Sequence, residues 1–249
     1  MKNFVYILLL LITSLGFAQN NALFKEATDL YNSGKYEEAI QKYEAILNAG
    51  EESAALYFNL GNAHYKLSDI APSIYYYEKA LQLAPNDADI KNNRAFAQNM
   101  TVDAITPLPL TSWDKFKQNT VGALHFDAWA IIAVTLLIAF VVFISVYNLV
   151  YASWKKRLFF VLGCIMFIGS AVSVYFAELQ YVKAKNSKYA IVFSAAADVN
   201  PEPNEGSNPI FTLHEGTKVK VLNDLNGWRR IALEDGKVGW LKKSAIKKL

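Results

Sequence analysis

Two long apolar runs dominate the pattern of hydrophobic and polar positions along the chain. No charged residue occurs between Asp127 and Lys155, and none occurs between Arg157 and Glu178. Each run is long enough to cross the roughly 30 Å hydrocarbon core of a bilayer as a helix. Because so few residues separate the runs, the two helices lie side by side and antiparallel. The predicted elements are a transmembrane helix over 128–152, a cytoplasmic loop over 153–157 and a second transmembrane helix over 158–177.

The second apolar run contains several small residues that allow close contact between helices. They are Gly163, Gly169, Ser170 and Ser173. These residues favour either a hairpin that packs on itself or a contact face for another membrane protein. Neither run contains Asp, Glu, Lys, Arg or His, which argues against a proton relay or an ion pathway within the hairpin.

The N-terminus has the pattern of a secretory signal peptide over 1–18. Lys2 precedes an apolar stretch, and small residues, Gly16 and Ala18, stand where a signal peptidase reads the chain. An uncleaved anchor is the alternative. Export places the residues on both sides of the hairpin outside the cytoplasm and the basic loop inside. Lysines on the outer flanks mean that the positive-inside rule agrees only in part.

The chain repeats itself between the signal peptide and the hairpin. Tyr31 and Tyr65, like Tyr43 and Tyr77, are 34 residues apart, which is the period of tetratricopeptide repeats. The second copy resembles that family most clearly, whereas Glu26 and Ala27 replace the usual Leu-Gly in the first copy. The residues of the second copy that carry the resemblance are Tyr57, Leu60, Gly61, Tyr65, Ser73, Tyr77, Ala80 and Pro85. The predicted domain covers 19–99, with copies over 20–53 and 54–87 and a capping helix over 88–99.

The resemblance implies a concave groove, made by the first helix of each pair, that binds a peptide. The residues at family groove positions are Phe24, Thr28, Tyr31, Phe58, Asn59, Asn62, Tyr65 and Asn93. The asparagines are expected to hold a peptide backbone through two hydrogen bonds each. The alternative is that these positions are ordinary solvated polar sites on a helix face. Phe24 and Asp89 stand where a basic clamp for a C-terminal carboxylate needs lysines, which disfavours that kind of receptor.

A connecting segment over 100–127 follows the repeats. Pro107 and Pro109 end the helical stack. Ser112 is expected to cap a short helical turn containing Trp113 and Phe116. This turn is suited either to lying on the membrane surface or to serving as an ordinary linker.

The composition becomes strand-like after the second apolar run, over 186–249. Asn226-Gly227 and Glu234–Lys237 are turn signals between β-rich runs. Together with Leu213–Val219 and Val238–Leu241, these turns resemble the bacterial SH3-like (SH3b) barrel. Trp228 and Trp240 are expected to line a surface groove or to fill the barrel, with at least one of them in the core.

The remaining composition excludes several function classes. A net charge of +3 is too small to favour nucleic acid binding. The three histidines lie in separate segments without partners at metal-binding spacing, and the single cysteine, Cys164, falls within the second apolar run. No phosphate-binding loop or nucleophile motif is present. The sequence therefore predicts a protein that is not an enzyme and needs no cofactor.

The order of signal peptide, repeats, apolar hairpin and SH3-like region resembles the BatE-type proteins of bacterial aerotolerance (Bat) operons. That resemblance implies a bacterial inner-membrane scaffold with both soluble parts in the periplasm. The partners it implies are membrane-anchored von Willebrand factor A-domain proteins and a MoxR-type AAA ATPase. The alternative hypothesis is a cell-wall sensor that binds peptidoglycan through the SH3-like region.

Overall fold

The computed structural model describes residues 20–186 and 188–249. They form two compact units. The first unit combines the described residues up to Pro107 with Lys188–Leu249, and the second runs from Leu108 through the last long helix. The predicted signal peptide over 1–18 lies outside the described residues.

Helices make up the N-terminal part of the first unit. They are α1 over residues 20–32, α2 Tyr36–Asn48, α3 Ala54–Lys66, α4 Ile70–Leu83 and α5 Ala88–Gln98. Ser53 caps α3 by accepting a hydrogen bond from the Leu56 N–H at 3.1 Å. Asp87 caps α5 in the same way, through the N–H groups of Asp89 and Ile90. The helical region that the 34-residue period predicts is confirmed.

Close contact between α3 and α4 depends on a glycine. A Cβ atom on Gly61 would come within 2.6 Å of the Tyr77 ring, so no larger residue fits there without movement. The Ser73 hydroxyl donates to the Gly61 carbonyl at 3.0 Å across the same contact. The large side chains buried in the same helical core include Tyr43, Leu56, Leu60, Ile74 and Tyr77.

The C-terminal part of the first unit, Lys188–Leu249, is here called the β region. Its strands are β1 Tyr189–Val192, β2 Ala196–Val199, β3 Phe211–His214, β4 Lys218–Leu225, β5 Trp228–Ala232, β6 Val238–Lys242 and β7 Ile246–Lys248. Five of them form an antiparallel sheet in the order β6-β5-β4-β1-β7. The other two, β2 and β3, pair only with each other, apart from a backbone bridge between Asn200 and Trp240. The described strands therefore make a β-sheet region without the closed barrel that the sequence predicts.

The expectation that Trp228 or Trp240 fills the core is wrong. Side chains alternate across a strand, and the inward positions of β5 and β6 are occupied by buried residues such as Ile231 and Leu241. The strand register places Arg230 opposite Trp240, so both tryptophans lie on the outer face, where each is half-buried. Aliphatic side chains fill the interior instead.

The β region packs directly against α4. Ile191 of β1 is fully buried in the helical core, and the Tyr75 and Phe193 rings meet edge to face at 5.8 Å. Gly216, in the turn between β3 and β4, has a φ of +85° and lies against Ile70, Ile74 and Thr101. The helical repeats and the β region thus meet through apolar contacts, while the β region also has an apolar core of its own.

A buried carboxylate joins the same two parts of the chain. The side chain of Glu78 on α4 is only 7% exposed. Its two oxygens accept hydrogen bonds from Arg94 on α5 at 3.1 Å and from Lys218 on β4 at 2.6 Å. Removal of either cation would leave this buried carboxylate poorly compensated, which is strongly destabilising. Glu78 therefore joins α4 to both α5 and β4.

Asp103, in the segment that follows α5, makes a second polar contact with the β region. Its carboxylate accepts hydrogen bonds from the backbone N–H and ring Nδ1 of His214, both at 2.7 Å, and from the Thr217 hydroxyl at 2.6 Å. Burial raises the pKa of Asp103, but these hydrogen bonds together outweigh burial and hold the pKa below its ordinary value.

This lowered pKa predicts an acid-sensitive contact. The stabilisation from Asp103 is fully present above the carboxyl's unfolded pKa of about 3.9 and is lost as the pH falls through the lower folded value. We expect Asp103→Asn to lower the urea midpoint at pH 7, measured by circular dichroism. The further fall of the midpoint between pH 5 and pH 3 should be smaller in this variant than in the wild type. The exposed carboxylate variant Asp29→Asn is the control. Equal acid-induced losses in the wild type and in Asp103→Asn would contradict the assignment.

The second unit contains a long helical hairpin. Its elements are α6 Ser112–Thr120, a 3₁₀ turn Val121–Ala123, α7 Phe126–Leu149 and α8 Ser153–Asn186. Thr111, not Ser112, caps α6, because its hydroxyl accepts from the Asp114 N–H at 3.1 Å. The residues predicted as the loop, 153–157, are instead the first turns of α8, and the chain reverses over 150–152.

Helices α7 and α8 are long and apolar enough to span a membrane, with mean hydropathies of 2.8 and 2.2. They run antiparallel, since Trp129 meets Phe176 and Tyr147 meets Phe160. The Ser170 hydroxyl of α8 donates to the Ala133 carbonyl of α7 at 2.8 Å. Small residues of α8 therefore allow it to pack closely against α7. This agrees with the first alternative from the sequence, a hairpin whose two helices pack on each other.

Candidate functional site

The eight predicted groove residues lie on α1, α3 and α5, and all of them are partly exposed. They form pairs separated by the repeat length: Phe24 with Phe58, Thr28 with Asn62, Tyr31 with Tyr65, and Asn59 with Asn93. Each pair places a similar side chain at the same point of successive repeats. The candidate site is therefore itself a repeated structure.

A buried tyrosine from α2 forms the floor of the first repeat. The hydroxyl of Tyr43 lies 3.0 Å from Thr28 Oγ1. Since the Thr28 hydroxyl donates to the Phe24 carbonyl at 2.9 Å, Tyr43 is the donor to Thr28. Burial raises the pKa of Tyr43, and hydrogen bonds with Thr28 and Asn59 oppose that rise. The Phe24 ring packs edge-on against Tyr43 at 5.5 Å.

The equivalent tyrosine of α4 forms the floor of the second repeat. The Tyr77 hydroxyl donates to Asn62 Oδ1 at 2.7 Å, and Asn93 Nδ2 donates to the same oxygen at 2.8 Å. Burial raises the pKa of Tyr77, which therefore stays a neutral donor at physiological pH. Phe58 packs against this ring at 6.0 Å. In each repeat, one tyrosine hydroxyl of the second helix thus bonds a polar side chain of the first helix.

These bonds change what the asparagines can offer a ligand. Both lone pairs of Asn62 Oδ1 are used by Tyr77 and Asn93, so the expected two-bond recognition of a backbone amide is not open to Asn62. Its NH₂ group is left to donate. Asn93 has committed one N–H and keeps its oxygen as an acceptor. A donor and an acceptor therefore lie side by side, which suits the alternating C=O and N–H groups of an extended peptide.

Sequence reasoning missed Tyr43 and Tyr77 as parts of the site. Both were recognised as repeat positions, but neither was placed in the groove because each belongs to a second helix. The signal that could have found them is the pairing itself, since Tyr43 and Tyr77 are aligned by the same 34-residue shift that aligns the groove residues.

The structure separates the predicted surface of the β region from this groove. Trp228 lines a cavity of about 500 Å³ together with polar side chains. These include Asp198, Asn200, Glu205 and Lys242. Lys242 pairs with Glu205 at 2.8 Å and lies 5.9 Å from the Trp228 ring centre. Trp240 is on the same sheet face but does not line this cavity.

Within 20–186 and 188–249, no group of three or more His, Cys, Asp or Glu side chains is placed to hold a metal ion. His64 is accounted for by packing, because its ring stacks on Tyr76 at 5.5 Å and its Nδ1 lies 3.1 Å from Asp69 Oδ2. The chemistry available in the groove is hydrogen bonding and apolar contact.

Comparison with known proteins is consistent with this geometry. Residues 24–88 match the family model described as tetratricopeptide repeat, a family that is typically non-catalytic. Protein FlbA of Caulobacter vibrioides is 39% identical over 61 residues, which is 24% of this chain and 10% of FlbA. The chain therefore matches only about a tenth of that relative's length. The matched helical region is similar to tetratricopeptide repeats, which suggests interaction with other proteins.

Proposed function

We propose that this chain is a membrane-anchored, non-enzymatic adaptor that binds an extended peptide segment of a partner protein along the groove of α1, α3 and α5. The observation that carries the proposal is the repeated polar floor, in which Tyr43 bonds Thr28 and Tyr77 bonds Asn62. Asn62 in turn accepts a hydrogen bond from Asn93. Pre-positioned amides lose little conformational freedom on binding. The phenylalanines beside them supply apolar contact for side chains of the peptide.

The anchor in this proposal is the hairpin of α7 and α8. The apolar windows of these helices are only 6% and 17% buried, so their surfaces would be costly to expose to water. A bilayer removes that cost, and helices satisfy their own backbone hydrogen bonds there. The hairpin then places the chain before α7 and after α8 on one side of the membrane. With the expected export signal, that side is the periplasm of a bacterium.

The partners we propose follow from the resemblance to BatE-type proteins. They are membrane-anchored von Willebrand A-domain proteins, with a MoxR-type AAA ATPase associated on the cytoplasmic side. In this proposal the β region is a variant of the SH3-like fold that contacts the repeats through Glu78 and the segment after α5 through Asp103.

The groove proposal predicts that three asparagines control partner binding. We expect the triple variant Asn59→Ala, Asn62→Ala, Asn93→Ala to lose most of the partner recovered by crosslinking in cells and affinity purification of the full-length chain. Losing two or three hydrogen bonds of about 1 kcal/mol each lowers affinity roughly 30-fold or more. Quantitative mass spectrometry of the von Willebrand A-domain proteins is the measurement.

The matched control replaces exposed polar residues of α2, α4 and α5, namely Gln41→Ala, Gln82→Ala and Asn92→Ala. This variant is expected to recover as much partner as the wild type. Circular dichroism confirms that both triple variants remain helical. Full partner recovery with the groove variant would overturn the groove proposal.

A second candidate function is binding of cell-wall material by the β region. The observation that favours it is the cavity beside Trp228, whose lining of two carboxylates, one amide and a lysine suits a polar ligand. Full-length protein in detergent would sediment with purified peptidoglycan, and Trp228→Ala would abolish this without affecting partner recovery. Failure of the wild-type protein to sediment would remove this candidate.

A further inference from the structure

A crevice of about 750 Å³ lies between α6 and the C-terminal half of α8. Its walls are mainly apolar and aromatic. The residues that form them include Leu110, Trp113, Phe116, Tyr175 and Leu179. Trp113 and Phe116 stack at 5.4 Å yet remain 61% and 55% exposed. Such a surface is unfavourable in water, so the crevice needs an occupant or an apolar surrounding.

Hydrogen bonds fix the position of α6 beside the hairpin. The Val121 carbonyl accepts from Trp129 Nε1 of α7 at 3.0 Å and from Gln180 Nε2 of α8 at 2.8 Å. Gln180 Nε2 also donates to the Leu124 carbonyl at 3.1 Å. The segment that follows α6 is therefore tied to both long helices. The crevice is a formed feature of this unit.

The crevice lies at the end of the hairpin's apolar surface. Phe126 begins α7 and meets Tyr181 of α8 at 5.8 Å, which puts the crevice residues of α8 level with the start of α7. Glu178 is the first charged residue after Arg157. Aromatic rings with polar neighbours at this level are typical of the boundary between hydrocarbon and headgroups.

The polar residues of the crevice favour an anion. Lys117 and Lys183 both line it. Lys117 Nζ lies 5.4 Å from the Trp113 ring centre. The one carboxylate of the lining, Asp114, is engaged by the Thr111 hydroxyl at 2.7 Å. Two lysines lining a mainly apolar crevice match a phosphate joined to an acyl chain.

We propose that this crevice binds one anionic phospholipid of the surrounding bilayer. The acyl chain lies along Phe116, Tyr175 and Leu179, and the phosphate is held by Lys117 and Lys183. The inference rests on the proposed insertion of the hairpin into a membrane. It adds a lipid-binding site that fixes α6 at the membrane surface.

The test uses full-length protein in nanodiscs that contain either brominated phosphatidylglycerol or brominated phosphatidylcholine, each over the same series of mole fractions. Bromine quenches nearby tryptophans, and the difference between wild type and Trp113→Phe isolates the Trp113 signal. We expect Trp113 to reach the same quenching at a lower mole fraction of phosphatidylglycerol than of phosphatidylcholine. Each lysine should lower the required mole fraction roughly fivefold. The double variant Lys117→Gln, Lys183→Gln should remove this preference.

The matched control is Lys155→Gln, Lys156→Gln, which removes two lysines from the other end of the hairpin and should keep the preference. Equal quenching by the two lipids, or a preference that survives loss of Lys117 and Lys183, would overturn the lipid site while leaving the membrane anchor standing. Wild-type protein that does not enter nanodiscs and does not float with vesicles would overturn both the anchor and the lipid site.

Discussion

Replacing Gly216 by alanine is expected to release the β region from the helical repeats. Gly216 has a φ of +85°, which costs an L-residue roughly 1–2 kcal/mol. A Cβ atom there would also lie 2.8 Å from a Thr101 methyl and 2.9 Å from one on Ile70. Overpacking of this kind costs about 1–3 kcal/mol more. Hydrogen exchange of peptides from α4, β1 and β4 should show an opening free energy lower by about 2–5 kcal/mol.

Gly227 provides the matched control for this experiment. Its φ is also +85°, but nothing lies within 4 Å of the position that a Cβ would take. Gly227→Ala is therefore expected to lower stability only through the strain of a positive φ. Its effect on hydrogen exchange should be confined to the β4–β5 turn. If the two variants were equally destabilised, or if α4 kept its protection in Gly216→Ala, the proposed contact between α4 and the β3–β4 turn would be wrong.

Truncating Tyr77 to alanine is expected to unfold much of the helical region. The side chain is 1% exposed, packs on Gly61 and holds Asn62 through its hydroxyl. Loss of a buried aromatic ring costs about 3–5 kcal/mol, and the helical repeats depend on continuous packing between neighbours. Loss of helical signal at a lower urea concentration, followed by circular dichroism of the full-length chain, measures this effect.

Tyr77→Phe separates packing from groove chemistry. The ring stays, so the free energy of unfolding should fall by only about 1 kcal/mol, the net value of one hydrogen bond. Asn62 then loses a bond that fixes it, and partner recovery should fall while helicity persists. A variant that bound partner as well as the wild type would show that the tyrosine floor does not organise the groove.

Most of what could be predicted about the helical region and the candidate site follows from the 34-residue period. The period identifies Phe24 with Phe58 and Thr28 with Asn62, and the structure places these pairs at equivalent points of α1 and α3. What the period could not give is the direction of each hydrogen bond. Asn62 loses its free acceptor only because Tyr77 and Asn93 both reach it, and that depends on packing between helices.

The strand and turn signals of the β region located its hairpins, since Asn226-Gly227 joins β4 to β5 with positive φ at both residues. The large tryptophan side chains favour a place in the core, but the alternation of inward and outward positions along β5 and β6 puts both on the outer face. A count of inward and outward positions along β5 puts Trp228 with Arg230 on the outer face.

The contact between the repeats and the β region had no signal in the sequence. Glu78 and Lys218 are 140 residues apart, and Asp103 and His214 are 111 apart. Each is a residue type that is usually solvated, and only the fold brings the partners together. A single sequence gives no means of pairing such distant charges.

Photo-crosslinking from a single groove position directly tests whether a partner peptide binds in the groove of α1, α3 and α5. A photoreactive residue is placed at Asn59 in the full-length chain in cells, and a second version carries it at exposed Gln41 on α2. Peptide binding in the groove predicts that one membrane-anchored partner with a von Willebrand A domain is crosslinked from position 59. This product should be lost when Asn62→Ala and Asn93→Ala are added, and it should be absent from position 41. Identical products from both positions, or a product at position 59 that survives the two substitutions, would contradict peptide binding in this groove.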